Sequence, residues 1–210
     1  MTTLVVIAKE PLPGKAKTRL HPPLSLEQAA ELAAAAIDDT LAAMQSLPAS
    51  RRILLFEGNH LPPRSEGYVV TAQTSGTLDH RLAAIFDECT GPTLLIGMDT
   101  PQATAADLAP AFEGWPDDID AWFGPASDGG FWALGMREPR GDLIRGIPMS
   151  QDDTGELQLA RLRAAGLRVG MLPTLTDVDT IADAHEVAAL APLTRFAATL
   201  SGFLAMAISS

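Results

Sequence analysis

The residues able to do chemistry fall into two groups of opposite charge. Lys9, Lys15, Lys17 and Arg19 crowd a loop broken by Pro11, Pro13 and Gly14, while Asp99, Asp128, Asp177 and Asp179 each follow an apolar run much further along. Backbone N–H groups near Gly14 can approach an anion closely, and Lys17 and Arg19 can neutralise it, the guanidinium bidentately. Several carboxylates gathered in one place need a cation. Mg²⁺ or Mn²⁺ suits them, because such ions take oxygen ligands, commonly one or two protein carboxylates completed by phosphate oxygens and water. Cations and carboxylates together describe a site for a nucleotide diphosphate or triphosphate. The loop matches neither GxxxxGK[ST] nor GxGxxG, which argues against a P-loop NTPase and a dinucleotide-binding domain.

Other chemistries lack support. His21, His60, His80 and His185 have no metal-ligand spacing and read as surface or structural residues. Cys89 is the only cysteine, so an internal disulfide or a zinc framework is excluded, and a reducing cytoplasm is the expected location. No GxSxG elbow is present. Trp115, Trp122 and Trp132 read as packing residues, with Trp132 placed to border a pocket because it follows the Gly129–Gly130 pair.

The elements that must position these groups alternate. Leu4–Ala8 is short, β-branched and apolar, as expected of a strand buried on both faces. Ser25 and Gln28 form a capping box ahead of a helix reaching about Met44. Strands are expected at Arg52–Phe56, Tyr68–Ala72, Thr93–Gly97, from Ala121, and at Leu167–Leu172. Helices are expected at Leu78–Asp87, Ala103–Phe112, Thr154–Ala165, from Asp177–Thr180 through His185 to Leu190, and in a packed terminal segment, Phe196–Ile208. Such alternation predicts an α/β fold with a mostly parallel sheet covered on both faces. In that architecture Asp99, directly behind the TLLIG strand, stands at the carboxyl edge where ligands bind.

The 210 residues fit one domain, residues 1–210, and 47% hydrophobic with 20% charged residues is a globular composition. A net charge of -11 makes nucleic acid an unfavourable partner and makes the basic first loop look placed. The opening has no secretory leader pattern, and no apolar stretch reaches the roughly 20 residues that a membrane span requires.

AKEPLPGKAKTRL, QTSGTLDHRL, GMDTP, GPASDGGFWALG and DVDT occur in this order between Leu4 and His185. The set resembles the glycosyltransferase-like family labelled DUF2064, within the nucleotide-diphospho-sugar transferase superfamily. That resemblance implies a Rossmann-like αβα sandwich of the GT-A type. It also implies a donor site of Ala8, Gly14, Lys17, Arg19, Gln73, Gly76 and Asp99, and catalytic roles for Lys17, Arg19 and Asp128. Asp99 and Asp179 would share Mg²⁺ or Mn²⁺, as a late aspartate does in sugar nucleotidyltransferases such as the CMP-Kdo synthetases. Two carboxylates on one such ion lie within roughly 6 Å of each other. Phe131 stands where the family often has Tyr, and Met149–Ser150–Gln151 where a Trp-Ser-Thr-like segment is common, which bears on the acceptor.

Three activities are compatible. The first is glycosyl transfer from a nucleotide sugar to a small-molecule acceptor. The second is nucleotidyl transfer from an NTP to a phosphorylated small molecule, since the KTRL loop also resembles that of the phospholactate guanylyltransferases. The third is nucleotide binding without turnover.

Overall fold

A computed structural model describes residues 1–208; Ser209 and Ser210, included in the single-domain expectation, lie outside them. The strands are β1 (Thr3–Lys9), β2 (Arg51–Glu57), β3 (Val69–Ala72), β4 (Thr93–Ile96), β5 (Ala121–Pro125), β6 (Phe131–Met136) and β7 (Val169–Met171). The helices are α1 (Leu26–Met44), α2 (Leu78–Glu88), α3 (Ala105–Phe112), α4 (Thr154–Ala164), α5 (Ile181–Leu190) and α6 (Arg195–Ile208). The sheet runs β3-β2-β1-β4-β6-β5-β7. All neighbours are parallel except those of β6, which is antiparallel to both β4 and β5. Among the described residues, no helix is long and apolar enough to cross a membrane.

Side chains alternate across a strand, so an apolar strand such as β1 can feed two cores. Leu4, Val6 and Ala8 pack with Ile37 and Leu41 of α1 and Leu108 of α3 on one face. Val5 meets Leu82 and Phe86 of α2 on the other, where Leu162 of α4 also packs. The far side of α1, through Ala29, Leu32 and Ala36, packs on α5 and α6 and gives that sheet face a second helical layer. Each fully buried Leu or Ile here contributes on the order of 1.5–3 kcal/mol.

Expected and observed elements differ mainly at their ends. Tyr68 lies just outside β3, where its buried hydroxyl donates to the Leu41 carbonyl. The helix expected from Ala103 starts at Ala105, because Thr104 and Asp107 form a reciprocal cap. β7 is shorter than the expected Leu167–Leu172, being a sheet-edge strand with Met171 exposed. Ser25 caps α1 with Gln28 as expected.

Asp79, in the first turn of α2, ties that helix to the segment preceding α4. Its carboxylate accepts from the Thr77 hydroxyl and from the Gly146 N–H at 2.8 Å, and these bonds, the Thr77 one foremost, hold its pKa down at about 2. Asp79→Ala should therefore cost about 1–3 kcal/mol at pH 7, mainly by leaving the Gly146 N–H unpaired. Because the folded pKa lies below the unfolded value of about 3.9, the wild-type advantage is full above pH 4 and shrinks as pH falls toward 2. Denaturant titrations of both proteins across that range check this; a gap independent of pH would remove the carboxylate from the explanation.

Candidate functional site

The carboxyl ends of the parallel strands open into a cleft of about 850 Å³, within the usual size range of ligand sites. Asp99 enters it from the end of β4, Asp128 from the β5–β6 turn, and Asp177 and Asp179 from the segment between β7 and α5. That last segment is stitched to the strand ends: the Val178 N–H donates to the Asp99 carbonyl at 3.0 Å, and the Ser127 N–H to the Leu175 carbonyl at 2.9 Å. Residues distant in the chain are thus fixed side by side through the backbone.

Lys17 joins them. It adopts a left-handed conformation, φ 47° and ψ 40°, at the start of a short 3₁₀ turn, uncommon for a non-glycine residue and frequent at functional sites. Its ammonium lies 3.0 Å from Asp99 Oδ2 and 2.9 Å from Asp179 Oδ1, with the side chain only 9% exposed. Those two oxygens are therefore within about 6 Å of one another. Burial pulls the Lys17 pKa down, but the two aspartates outweigh it and the net shift is upward. Arg19 Nη1 approaches Asp179 Oδ2 at 3.6 Å from a side chain that is otherwise largely in solvent.

Neither Asp99 nor Asp179 serves as a turn or cap residue. The cap of α5 is Thr180, which exchanges bonds with Asp183, and among the described residues no backbone N–H donates to either carboxylate. Asp99 Oδ1 is buried with no hydrogen-bond partner. Asp177 is pushed up to about 7, first by burial and then by the charges of Asp99 and Asp128, with Lys17 pulling the other way. Among the described residues no group of three or more His, Cys, Asp or Glu is arranged as a metal cage. The Asp99–Asp179 pair nevertheless fits a hard divalent ion that keeps water and phosphate oxygens in its shell, as the orphaned oxygen and the crowded charge both favour one.

The opposite wall lies at the ends of β1, β2 and β3. The Gln73 amide donates to the Ala8 carbonyl at 2.8 Å and to the Leu55 carbonyl at 3.3 Å, and accepts from Arg81 Nη1 at 2.9 Å. Arg81 also reaches Glu57. Ala8, Arg19, Gln73, Asp99, Asp128 and Asp179 line the cleft, whereas Gly14, Lys17 and Gly76 are not among its lining residues, Lys17 reaching the site only through its contacts with Asp99 and Asp179. Gly14 sits in an exposed turn closed by bonds to the Leu12 carbonyl. All four histidines are exposed, and Trp132 is a buried cleft residue whose indole donates to the Pro173 carbonyl.

Sequence reasoning placed α4 from Thr154 as observed, but gave no role to Arg81 or to Gly155 in the first turn of that helix. Arg81 carried a signal: a cation at the end of a helix's first turn opposes the helix dipole, so it needs a partner there. Gly155 carried none. The Gly155 N–H donates to the Gly129 carbonyl at 2.8 Å, a Cβ on Gly155 would collide with the Gly130 carbonyl, and a Cβ on Gly129 with that of Asp152. This close approach fixes the β5–β6 turn, within which one Asp128 oxygen accepts from the Gly130 N–H at 2.9 Å.

A family model described as an uncharacterised protein conserved in bacteria, DUF2064, matches residues 28–151, more than half of the chain. No curated protein matches. Among solved structures, a Desulfovibrio desulfuricans G20 protein whose name as a nucleotide-diphospho-sugar transferase is provisional is similar at TM-score 0.85 and 25% identity, over 97% of this chain and 95% of its own. A CMP:2-keto-3-deoxy-manno-octonic acid synthetase complexed with CTP gives TM-score 0.56 and 14% identity over 90% and 97%. The 2-C-methyl-D-erythritol 4-phosphate cytidylyltransferase of Thermus thermophilus gives 0.55 and 17% over 92% and 100%. At such identities the last two share the fold.

Gly129→Ala should lower stability by at least about 2 kcal/mol, since backbone must move to admit the methyl at a positive φ of 90°. Ser127→Ala, on the exposed side of the same turn, should stay within about 0.5 kcal/mol. Chemical denaturation measures both. Equal midpoints would mean that α4 does not hold the turn.

Proposed function

The chain belongs to the DUF2064 family, and from that premise we propose that it is a metal-dependent transferase using a nucleotide-activated donor, moving a glycosyl group from a nucleotide-diphospho-sugar to a small acceptor. The observation that carries this reading is the buried Lys17 ammonium between Asp99 and Asp179, at the carboxyl edge of the sheet in a cleft large enough for a nucleotide.

Each residue takes a role that its surroundings allow. Asp99 and Asp179 hold Mg²⁺ or Mn²⁺, which when bound supplies Lewis-acid stabilisation to the departing diphosphate. Arg19, free to swing because its side chain is 74% exposed, meets the phosphates with a planar fork, and Lys17 adds a second positive charge beside them. Gln73 and the Ala8 carbonyl, locked together and braced by Arg81, form the wall that faces the donor's nucleoside. Asp128 stands in the β5–β6 turn beside Phe131, close enough to Asp177 to raise its pKa, and is assigned to the acceptor side, where an unpaired carboxylate oxygen is available to take a proton from the incoming hydroxyl.

A second reading is nucleotidyl transfer, in which an acceptor phosphate attacks an NTP and pyrophosphate leaves. The convergence of Lys17 and Arg19 on Asp179 supports it, because it concentrates positive charge where a phosphorus under attack would gain negative charge. The activities differ in what is released: a nucleoside diphosphate in the first, pyrophosphate in the second.

Thermal shift against nucleotide sugars and NTPs, with and without Mn²⁺, followed by product analysis, separates the readings. Metal-dependent stabilisation by a nucleotide sugar with release of nucleoside diphosphate is expected; stabilisation by NTPs alone with pyrophosphate release would transfer the assignment to the second reading. Arg19→Ala should weaken a bound diphosphate-containing ligand by about 1.5–3 kcal/mol and leave the free nucleoside unaffected. Calorimetry showing equal losses for both would move Arg19 away from the phosphates.

A further inference from the structure

The distances around Lys17 raise a conflict between two cations. An ion ligated directly by Asp99 and Asp179 sits about 2.1 Å from one oxygen of each. The Lys17 ammonium already lies 3.0 Å from Asp99 Oδ2 and 2.9 Å from Asp179 Oδ1, so it holds one oxygen of each and leaves Asp99 Oδ1 without a partner. A divalent ion drawn to the same two carboxylates would lie close to that ammonium and repel it in a site partly withdrawn from water. Lys17 cannot simply step aside into solvent, because its side chain is 9% exposed and its backbone is committed to a left-handed turn. A buried ammonium that leaves two carboxylates must find another anion, or the charge is left uncompensated.

We propose that Lys17 is the resident counter-cation of the Asp99–Asp179 pair and yields its place only to a divalent ion that arrives with a diphosphate or triphosphate. The incoming anion receives the displaced ammonium, Arg19 adds a second contact at the cleft mouth, and the metal takes over the carboxylates. Metal and polyphosphate therefore bind as one unit, each poorly without the other. The protein selects metal-chelated diphosphates and triphosphates over bare ions and nucleosides. This rests on the reading of Asp99 and Asp179 as the metal pair, and deepens it by naming what must accompany the ion.

The test uses the full chain and calorimetric titration with Mn²⁺ alone, inorganic pyrophosphate alone, and the preformed Mn²⁺–pyrophosphate complex. For the wild-type protein, the complex should bind at least tenfold more tightly than either component. In Lys17→Met, Mn²⁺ alone should bind at least tenfold more tightly than in the wild type, and most of the advantage of the complex should vanish. Lys17→Met, Asp99→Asn together should lose that gain, which locates it at the pair. A Lys17→Met protein that is folded by circular dichroism but binds Mn²⁺ no better than the wild type overturns the proposal. Should that variant fail to fold, the wild-type titrations decide alone, since equal affinity for Mn²⁺ with and without pyrophosphate also overturns it. Failure of the transferase reading looks different: no nucleotide would bind with metal, while the Mn²⁺ gain in Lys17→Met would persist.

Discussion

A single buried ammonium balances a crowd of carboxylates at the carboxyl edge of the sheet, and the geometry of the whole cleft follows from keeping that balance. Lys17 comes from the loop after β1, Asp99 from the end of β4, and Asp177 and Asp179 from the far end of the chain. Burying a cation is unfavourable unless its partners are held at close range, and burying carboxylates together is unfavourable without a cation. Each group is thus the condition for the others, and the Val178–Asp99 backbone bond provides the rigid link that makes the arrangement permanent. Asp177 is pushed upward first by its own burial and then by the charges of Asp99 and Asp128, which Lys17 only partly offsets.

The protein as a whole carries a net charge of -11, so a free polyphosphate approaches against the prevailing field. The cleft's answer is local. Arg19 stands at its mouth with a largely exposed guanidinium, Arg81 braces the opposite wall, and the floor is acidic. Under the proposed function, an acidic protein takes an anionic ligand without a broad basic surface because the ligand's charge is partly neutralised on arrival.

Much of this was legible in the chain, because the strongest signals were local. β1 and β4 announce themselves as short apolar runs, since strands buried on both faces cannot alternate with polar residues. Ser25 with Gln28 marks a helix start by the same chemistry that forms it. Asp99 and Asp179 could be placed at one sheet edge because each follows a strand, and they meet across Lys17. Gly14 shows where local reading stops: glycine after two prolines forecasts a turn, and a turn is present, but sequence cannot say whether that turn faces the cleft. Arg81 and Gly155 escaped for the same reason. Their importance lies in contacts with Gln73 and Gly129, residues brought to them only by the packing of helices on the sheet.

The antiparallel strand β6 explains how the cleft wall around Asp128 is built at all. In a wholly parallel sheet every strand begins at the edge opposite the ligands, and a helical crossover separates one carboxyl end from the next. Here β5 leaves the cleft edge through the short Ala126–Gly130 turn and β6 returns at once, antiparallel to both of its neighbours. The start of β6, with Phe131 and Trp132, is thereby delivered to the edge where β4 and β5 end, and these residues line the cleft beside Asp99 and Asp128. A turn this tight would swing freely if it projected into solvent. Its anchorage on the first turn of α4, through the Gly155 N–H and the contact of Gly129 with Asp152, converts it into a fixed wall. Reversing one strand thus adds apolar rings and a further carboxylate to the wall that carries Asp99, so a single sheet edge presents both apolar and charged surface to the cleft.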